Sequence, residues 1–315
     1  MERRAAGASR RLRNWIEFLP AWLLLTFLGW LPRRWALWTG CLVGTLVYWL
    51  WLKLAPVGRR NLALAFPDLS LSERDRVLKG AFRNLGRLLG EFSQFPKYDS
   101  TNIGQVVEYD GLEHYQQALR QERGVLILTA HFGAWELSSY AHSLFGYPMR
   151  FLVRPLDNPL LEELIDRYRT RGGNISMNKI NGAREVLRAL RRGETVGILM
   201  DLNTQPHEGV FCDFFGLPAC TSPIIATLAL RTGAPVVPGF LIWDERRHKH
   251  RLRFDPPVQL IASGDQPQDV VANTARFNRI IEAYVRGYPD HWLWVHKRWH
   301  TRPGGEPSPY THRSR

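Results

Sequence analysis

Gly124-Val-Leu-Ile-Leu-Thr-Ala130 runs directly into His131-Phe-Gly-Ala-Trp-Glu136, and the reading of the fold turns on this stretch. A glycine-bounded apolar run rich in β-branched residues and leucine reads as a buried strand. Gly133 marks a sharp turn, and Trp135 to Phe145 reads as a helix with its apolar side on the sheet. His131 then stands at the carboxyl end of a strand, with Glu136 in the first turn of the next helix. In an open α/β sheet that crevice is where ligands bind. A histidine beside a carboxylate suits a general base held in one tautomer and able to deprotonate a hydroxyl. The same pair also fits helix capping or packing, so the surrounding chain has to decide.

The chain has 315 residues, 45% of them hydrophobic, enough to bury a sizeable core. A formal charge of +13, carried far more by arginine than by lysine, points to anionic partners recognised through carboxylate or phosphate groups. Nucleic acid, an anionic membrane surface and an acidic carrier protein all fit that field. No recognisable nucleic-acid motif accompanies the charge, so nucleic acid is set aside. The three cysteines (Cys41, Cys212, Cys220) form no C-x-x-C pair and no His/Cys ligand spacing, so reduced thiols and no metal site are expected.

The N-terminal region reads as a membrane anchor over residues 1–55. Arg3, Arg4, Arg10, Arg11 and Arg13 precede two apolar stretches, Phe18 to Leu31 and Trp35 to Leu52. The second is uncharged and about long enough to cross a hydrocarbon core. Seven tryptophans between Trp15 and Trp51 suit a membrane interface. Basic residues flank both ends, Lys53, Arg59 and Arg60 on the far side, so a spanning helix and a re-entrant hairpin both remain open. Val57 to Asp68 reads as a linker. Ser70 with Glu73 then forms a capping-box pattern opening an amphipathic helix.

From about residue 105 strands and helices alternate. Strands are expected over Val125–Ala130, Met149–Val153, Thr195–Met200, Val236–Trp243 and Arg251–Phe254. Helices are expected over Leu160–Arg169, Ala183–Arg191, Ile224–Thr232 and Val271–Arg286. This succession implies a single α/β domain, residues 56–302, with a mostly parallel central sheet flanked by helices. The Pro/Gly/Ser-rich residues 303–315 read as a disordered tail.

Further polar residues stand at strand and helix ends. Arg154-Pro-Leu-Asp157-Asn158-Pro159 follows one strand, Arg167-Tyr-Arg169-Thr-Arg171 ends the next helix, and Asp201-Leu-Asn203 follows another strand. Each taken alone also fits a helix-terminal charge or a turn residue.

Taken in order, these blocks resemble the lysophospholipid-acyltransferase superfamily, specifically its bacterial lipid A late-acyltransferase branch. The resemblance rests on Asn61-Leu62 with Phe66-Pro67, on His131-x4-Glu136 in place of the superfamily's H-x4-D, and on Arg154-Pro155-x-Asp157-Asn158-Pro159. Met200-Asp201, Gly209-Val-Phe-x-x-Phe-Phe-Gly216 and Trp292-x-Trp294-x-His296-x-Arg298-Trp299 complete it. The glutamate and the absence of an F-P-E-G-T block separate it from glycerolipid acylation.

The resemblance implies a glycerolipid-acyltransferase-like fold and transfer of a fatty acyl chain from an acyl carrier protein or coenzyme A thioester. The acceptor would be a hydroxyl of a glucosamine-based lipid A precursor in lipopolysaccharide biosynthesis. Another bacterial glycolipid, such as a phosphatidylinositol mannoside or an ornithine-type lipid, is the alternative acceptor. It further implies the bacterial inner membrane, with the catalytic domain facing the cytoplasm, and no cofactor. By motif match His131 is the base, Glu136 its orienting partner, and Arg154, Arg169 and Asp201 bind substrate, with Arg167 and Arg171 one step from Arg169's place.

The chemistry fits these residues. Neutral His131 takes the hydroxyl proton as the oxygen attacks the thioester carbonyl, and backbone N–H groups near Gly133 or an arginine are candidates for the oxyanion. Ser138 and Ser139 lack the G-x-S-x-G elbow, which favours direct transfer over a serine acyl-enzyme. Leu160, Leu161, Leu164, Leu228 and Leu230 fit either an acyl tunnel or core packing.

Overall fold

A computed structural model describes residues 2–50, 54–178 and 182–310. A seven-stranded sheet organises the chain, with strand order β1-β9-β8-β2-β5-β3-β4. Its central members are β2 (Val125–Thr129), β5 (Thr195–Leu199), β8 (Val236–Asp244) and β3 (Arg150–Val153). All neighbours are parallel except β8 with β9 (Lys249–Phe254). The edges are the four-residue β1 (Val107–Asp110) and β4 (Ile175–Asn178). This is the expected single α/β domain.

Helices cover both faces and divide the core in two. On one side α8 (Gly182–Arg191), α9 (Ile224–Thr232) and α10 (Gln266–Gly287) bury Val186, Leu228, Phe277 and Ile281 against Leu126, Leu128 and Val196. On the other, α5 (Leu112–Leu119), α6 (Trp135–Leu144) and α7 (Pro159–Thr170) pack Tyr115, Leu137, Tyr140 and Leu164 against Val125 and Ile127. A separate hairpin, β6 (Val210–Phe214) with β7 (Leu217–Thr221), closes the end of the sheet near the strands' carboxyl termini.

The N-terminal helices differ from the single spanning helix, one of the two anchor forms read in the sequence. Among the described residues no single helix is long and apolar enough to cross a membrane. The stretch taken as a span falls on α2 (Arg33–Leu50), with residues 51–53 and Lys53 outside the described ones. One face of α2 packs antiparallel on α4 (Leu71–Gln94) through glycine. A Cβ at Gly40 would sit 2.2 Å from the Gly86 carbonyl oxygen, and one at Gly44 2.1 Å from that of Phe82. Gly90 meets Ala36 in the same way, at 2.8 Å. Small residues four apart on both helices let the backbones touch.

The junction is pinned by fully buried Glu91, which accepts from His250 Nε2 at 2.9 Å and Tyr98 Oη at 2.7 Å and pairs with Arg33. The opposite faces of α1 (Glu2–Trp30) and α2 are apolar and exposed. Fourteen of the eighteen exposed large hydrophobics among the described residues lie there, including Trp15, Trp22, Trp30, Trp35, Trp38 and Trp49.

Two further corrections concern segments read as irregular. The linker is α3 (Leu54–Ala65), whose buried Asn61 donates through Nδ2 to the carbonyls of Trp294 at 2.5 Å and His296 at 2.6 Å. The tail is ordered as far as Tyr310, which hydrogen-bonds Asn61 through its hydroxyl and accepts the Trp299 N–H at 3.1 Å. Residues 311–315 lie outside the described ones. The capping box of α4 forms as read, with Ser70 and Glu73 bonded reciprocally.

Candidate active site

Strands β2 and β5 pair in register from Val125 with Thr195 to Thr129 with Leu199. Extending that offset two residues past the strand ends sets His131 beside Asp201. Asp201 Oδ1 lies 2.9 Å from His131 Nδ1, and both its oxygens lie 3.1 Å from the His131 backbone N–H. Trp292 donates its indole N–H to the other carboxylate oxygen at 2.8 Å. The turn that presents the ring requires Gly133 (φ +59°), where a Cβ would strike the Leu241 carbonyl oxygen.

The electrostatics follow from burial and partners. Burial pushes the Asp201 carboxyl up, but the opposing His131 charge and the converging donors hold it below its ordinary value. Burial likewise works against charge on His131. The Asp201 charge and hydrogen bond, and more weakly Glu136, outweigh it and raise the ring above 6.5. With Nδ1–H donated to a carboxylate, the neutral ring leaves Nε2 bare. No described residue bonds Nε2, and the side chain, 21% exposed, lines a cavity of about 480 Å³.

The sequence paired His131 with Glu136; the structure pairs each with another partner. Glu136 grips Arg169 of α7 through two parallel bonds, Arg169 Nε to Oε2 at 2.8 Å and Nη2 to Oε1. Five residues along a helix start, Glu136 has turned towards α7, and Asp201 is the group that holds the imidazole. Arg169 alone of the three candidate arginines lines the cavity. Arg167 pairs with Glu163 on the surface, and Arg171 is exposed. Arg154 is exposed at the cavity rim and has no ion pair among the described residues.

From His131 the cavity runs between the sheet and α6. Ile127, Gly197 and Gly239 form its sheet wall, with Met149, Leu252 and Phe254 further in. The glycines make room. A Cβ on Gly197 would reach within 2.5 Å of Met149 Cε, and one on Gly239 within 2.8 Å of Phe254 Cε1. None of the five leucines considered for a tunnel lines it; Leu164 and Leu228 belong to the packed core. His142 stands on this wall, held by Tyr109 Oη at Nδ1 (2.6 Å), and burial drives its pKa down to about 3.

Two of the backbone donors near Gly133, the stretch considered for the oxyanion, are committed elsewhere. The Gly133 N–H goes to the His291 carbonyl at 2.8 Å, and the His131 N–H goes to Asp201. The C-terminal segment supplies what the sequence reading missed. Beyond Trp292, His296 lines the same cavity, and Arg298 is buried beneath the loop, donating to the Cys220 carbonyl at 2.9 Å and Thr221 Oγ1 at 2.6 Å. The signal was present in the alternating Trp-x-Trp-x-His-x-Arg, which carried resemblance but no stated role.

A free imidazole nitrogen at the mouth of an apolar cavity, with its other nitrogen tied to a buried carboxylate, is equipped to take a proton from a hydroxyl beside an acyl group. Comparison with known proteins points the same way. The chain is similar to the palmitoleoyltransferase of lipid A biosynthesis from Escherichia coli (strain K12), 28% identical over 303 residues, covering 89% of this chain and 95% of the relative. It is 30% identical over 273 residues to the lipid A biosynthesis lauroyltransferase of the same organism, covering 86% of this chain and 87% of the relative. To the myristoyltransferase it is 26% identical over 250 residues, covering 79% and 76%. The family model for bacterial lipid A biosynthesis acyltransferases matches residues 4–301. Site geometry and family match agree, and the chain belongs to the bacterial lipid A biosynthesis acyltransferases.

Proposed function

We propose that the protein transfers a fatty acyl chain from a carrier-bound thioester to a hydroxyl of a glucosamine-based lipid A precursor, at a membrane surface. The observation that carries this reading is the bare Nε2 of His131 beside a largely apolar cavity while Asp201 holds Nδ1. At about 480 Å³ the cavity falls within the roughly 300–1,000 Å³ usual for ligand sites. Its aliphatic inner wall suits an acyl chain.

His131 acts as general base and Asp201 as its orienting partner. Glu136 and Arg169 form the charged wall beside the ring, and Arg154 at the rim meets anionic groups of a substrate. The thioester donor is acyl carrier protein, whose acidic surface complements the +13 charge of this chain. The exposed tryptophans and leucines of α1 and α2 seat the protein in the headgroup layer of the inner membrane, lying along it, with the catalytic domain on the cytoplasmic side.

The test is acyl transfer by purified protein in mixed micelles, offered acyl carrier thioester and lipid A precursor, with the product read by mass spectrometry. Transfer is expected from the wild type and not from His131→Ala. Equal turnover by both proteins refutes the assignment.

A further inference from the structure

The loop after β5 holds two rings, not one. Asp201 takes Nδ1–H of His131, and two residues later the Asn203 backbone N–H donates to Nε2 of His296 at 3.0 Å. A neutral imidazole that accepts at Nε2 carries its proton on Nδ1. The rings are therefore held in opposite senses. His131 is left with a bare Nε2 and His296 with an unbonded Nδ1–H. Both line the same cavity, and they are close enough for a charge on one to oppose a charge on the other.

Nothing else claims that N–H. Among the described residues His296 Nδ1 has no hydrogen-bond partner, while the backbone donors of His131 and Gly133 are both committed. The ring is also fixed from behind. Its backbone carbonyl accepts from buried Asn61 at 2.6 Å and from the Arg298 N–H at 2.9 Å. Burial depresses the ring's pKa to about 4, so the group stays a neutral donor and does not compete with His131 for the proton.

We propose that His296 is a catalytic residue whose Nδ1–H donates a hydrogen bond to the thioester oxygen as it becomes an oxyanion; this rests on the acyl transfer proposed above. The acceptor hydroxyl oxygen attacks the carbonyl carbon while its proton passes to Nε2 of His131. The carbonyl π pair moves onto oxygen, where His296 meets it without giving up its proton. Collapse restores the C=O bond and breaks the C–S bond, and the departing thiolate takes the proton from His131. A fixed donor aimed at developing charge strengthens as the charge grows, so it acts on the transition state more than on bound substrate.

Two isosteres separate the two ring nitrogens. His296→Gln keeps an acceptor for the Asn203 N–H but removes the donor at the Nδ1 position. His296→Asn places an amide N–H near that position. His296→Gln is expected to lower kcat about 10²–10³-fold, with KM for both substrates within about threefold of wild type. His296→Asn is expected to recover about tenfold or more of that loss. In parallel, ¹⁵N NMR of the histidine rings in the full chain, with His296→Gln identifying the signal, is expected to show Nδ1 protonated and Nε2 bare.

Retention of kcat by His296→Gln within about threefold overturns the inference. So does equal loss in the two variants, or a protonated Nε2, which the NMR reads on the wild type whether or not a variant folds. If His131→Ala is inactive and His296→Gln is not, only the inference about His296 fails. If the wild type transfers no acyl chain, the proposed function fails with it.

Discussion

Asp201→Asn is the change that most directly tests how His131 is held. The buried carboxylate serves three donors: the His131 ring N–H, the His131 backbone N–H and the Trp292 indole N–H. An asparagine fits the same space. With its oxygen towards Trp292 it still accepts the indole and backbone N–H groups, and its NH₂ faces His131 Nδ1. The imidazole then satisfies that NH₂ only by accepting at Nδ1, which moves its own proton to Nε2. Every buried group stays bonded and the fold survives, yet the nitrogen facing the cavity can no longer take a proton. In a serine-protease triad the analogous exchange lowers kcat about 10⁴-fold, so about 10³–10⁴-fold is expected here. That is roughly 4–5.5 kcal/mol in the barrier. Steady-state transfer measured between pH 5 and 9 provides the second readout. The wild-type ring is raised above 6.5, so activity falls as pH drops through a value above the ordinary histidine pKa. Asp201 is the largest influence raising the ring and Glu136 a smaller one, so Asp201→Asn should lower the limb of any residual activity more than Glu136→Gln does. A kcat within about tenfold of wild type refutes this account. So does a larger limb shift in Glu136→Gln.

Three other outcomes are expected. Gly239→Ala puts a methyl against Phe254 and Ile127 on the cavity wall, and each methylene displaced costs about 0.8 kcal/mol; the acyl products should shorten, and an unchanged mass profile refutes the cavity as the acyl site. Burial holds His142 at about 3, whereas the unfolded chain takes up that proton near 6.5, so stability falls as pH drops below 6.5, by roughly 2 kcal/mol at pH 5. Denaturant melts of His142→Phe should lose less between pH 7 and pH 5 than wild type, and an equal loss refutes the reasoning. Replacing Trp15, Trp22, Trp38 and Trp49 with serine should weaken binding to anionic vesicles by roughly 100-fold or more; unchanged flotation refutes the membrane-facing assignment.

The parts legible in the sequence are those where one physical signal dominates. Val125–Leu128 is apolar without interruption because neighbours cover both its faces, and Gly133 is there because no side chain fits beneath Leu241. The edge strands β1 (Val-Glu-Tyr-Asp) and β4 (Ile-Ser-Met-Asn) are short and polar, so no apolar run announces them. The β6–β7 turn places Phe215, a non-glycine residue, at φ +57° ahead of Gly216, which disguises a tight hairpin. Both carboxylates of the site were picked out, with Glu136 expected against His131 where the structure sets Asp201. Spacing along the chain favours Glu136, five residues on. Adjacency in a parallel sheet favours Asp201, seventy residues on, and appears only once β2 and β5 are known to be neighbours. The N-terminal helices misled in another way. Tryptophan and leucine density was read as a membrane anchor, spanning or re-entrant, while the glycines at 40 and 44 were marking contact with another helix.

The backbone contact between α2 and α4 also bears on how far the site can reach. A flexible tether would let the catalytic domain swing and sample many heights above a surface. Here Gly40 and Gly86 leave no gap for the helices to roll or slide, so the apolar face and the cavity mouth move as one body. With the apolar face on a membrane, as proposed, the distance from that surface to His131 is a fixed dimension of the molecule, like the depth stop on a drill. One residue inserted into α4 would rotate everything beyond it by about 100° and advance it by about 1.5 Å. On the proposed membrane placement, the acceptor hydroxyl would be selected by its height above the bilayer as well as by its chemistry.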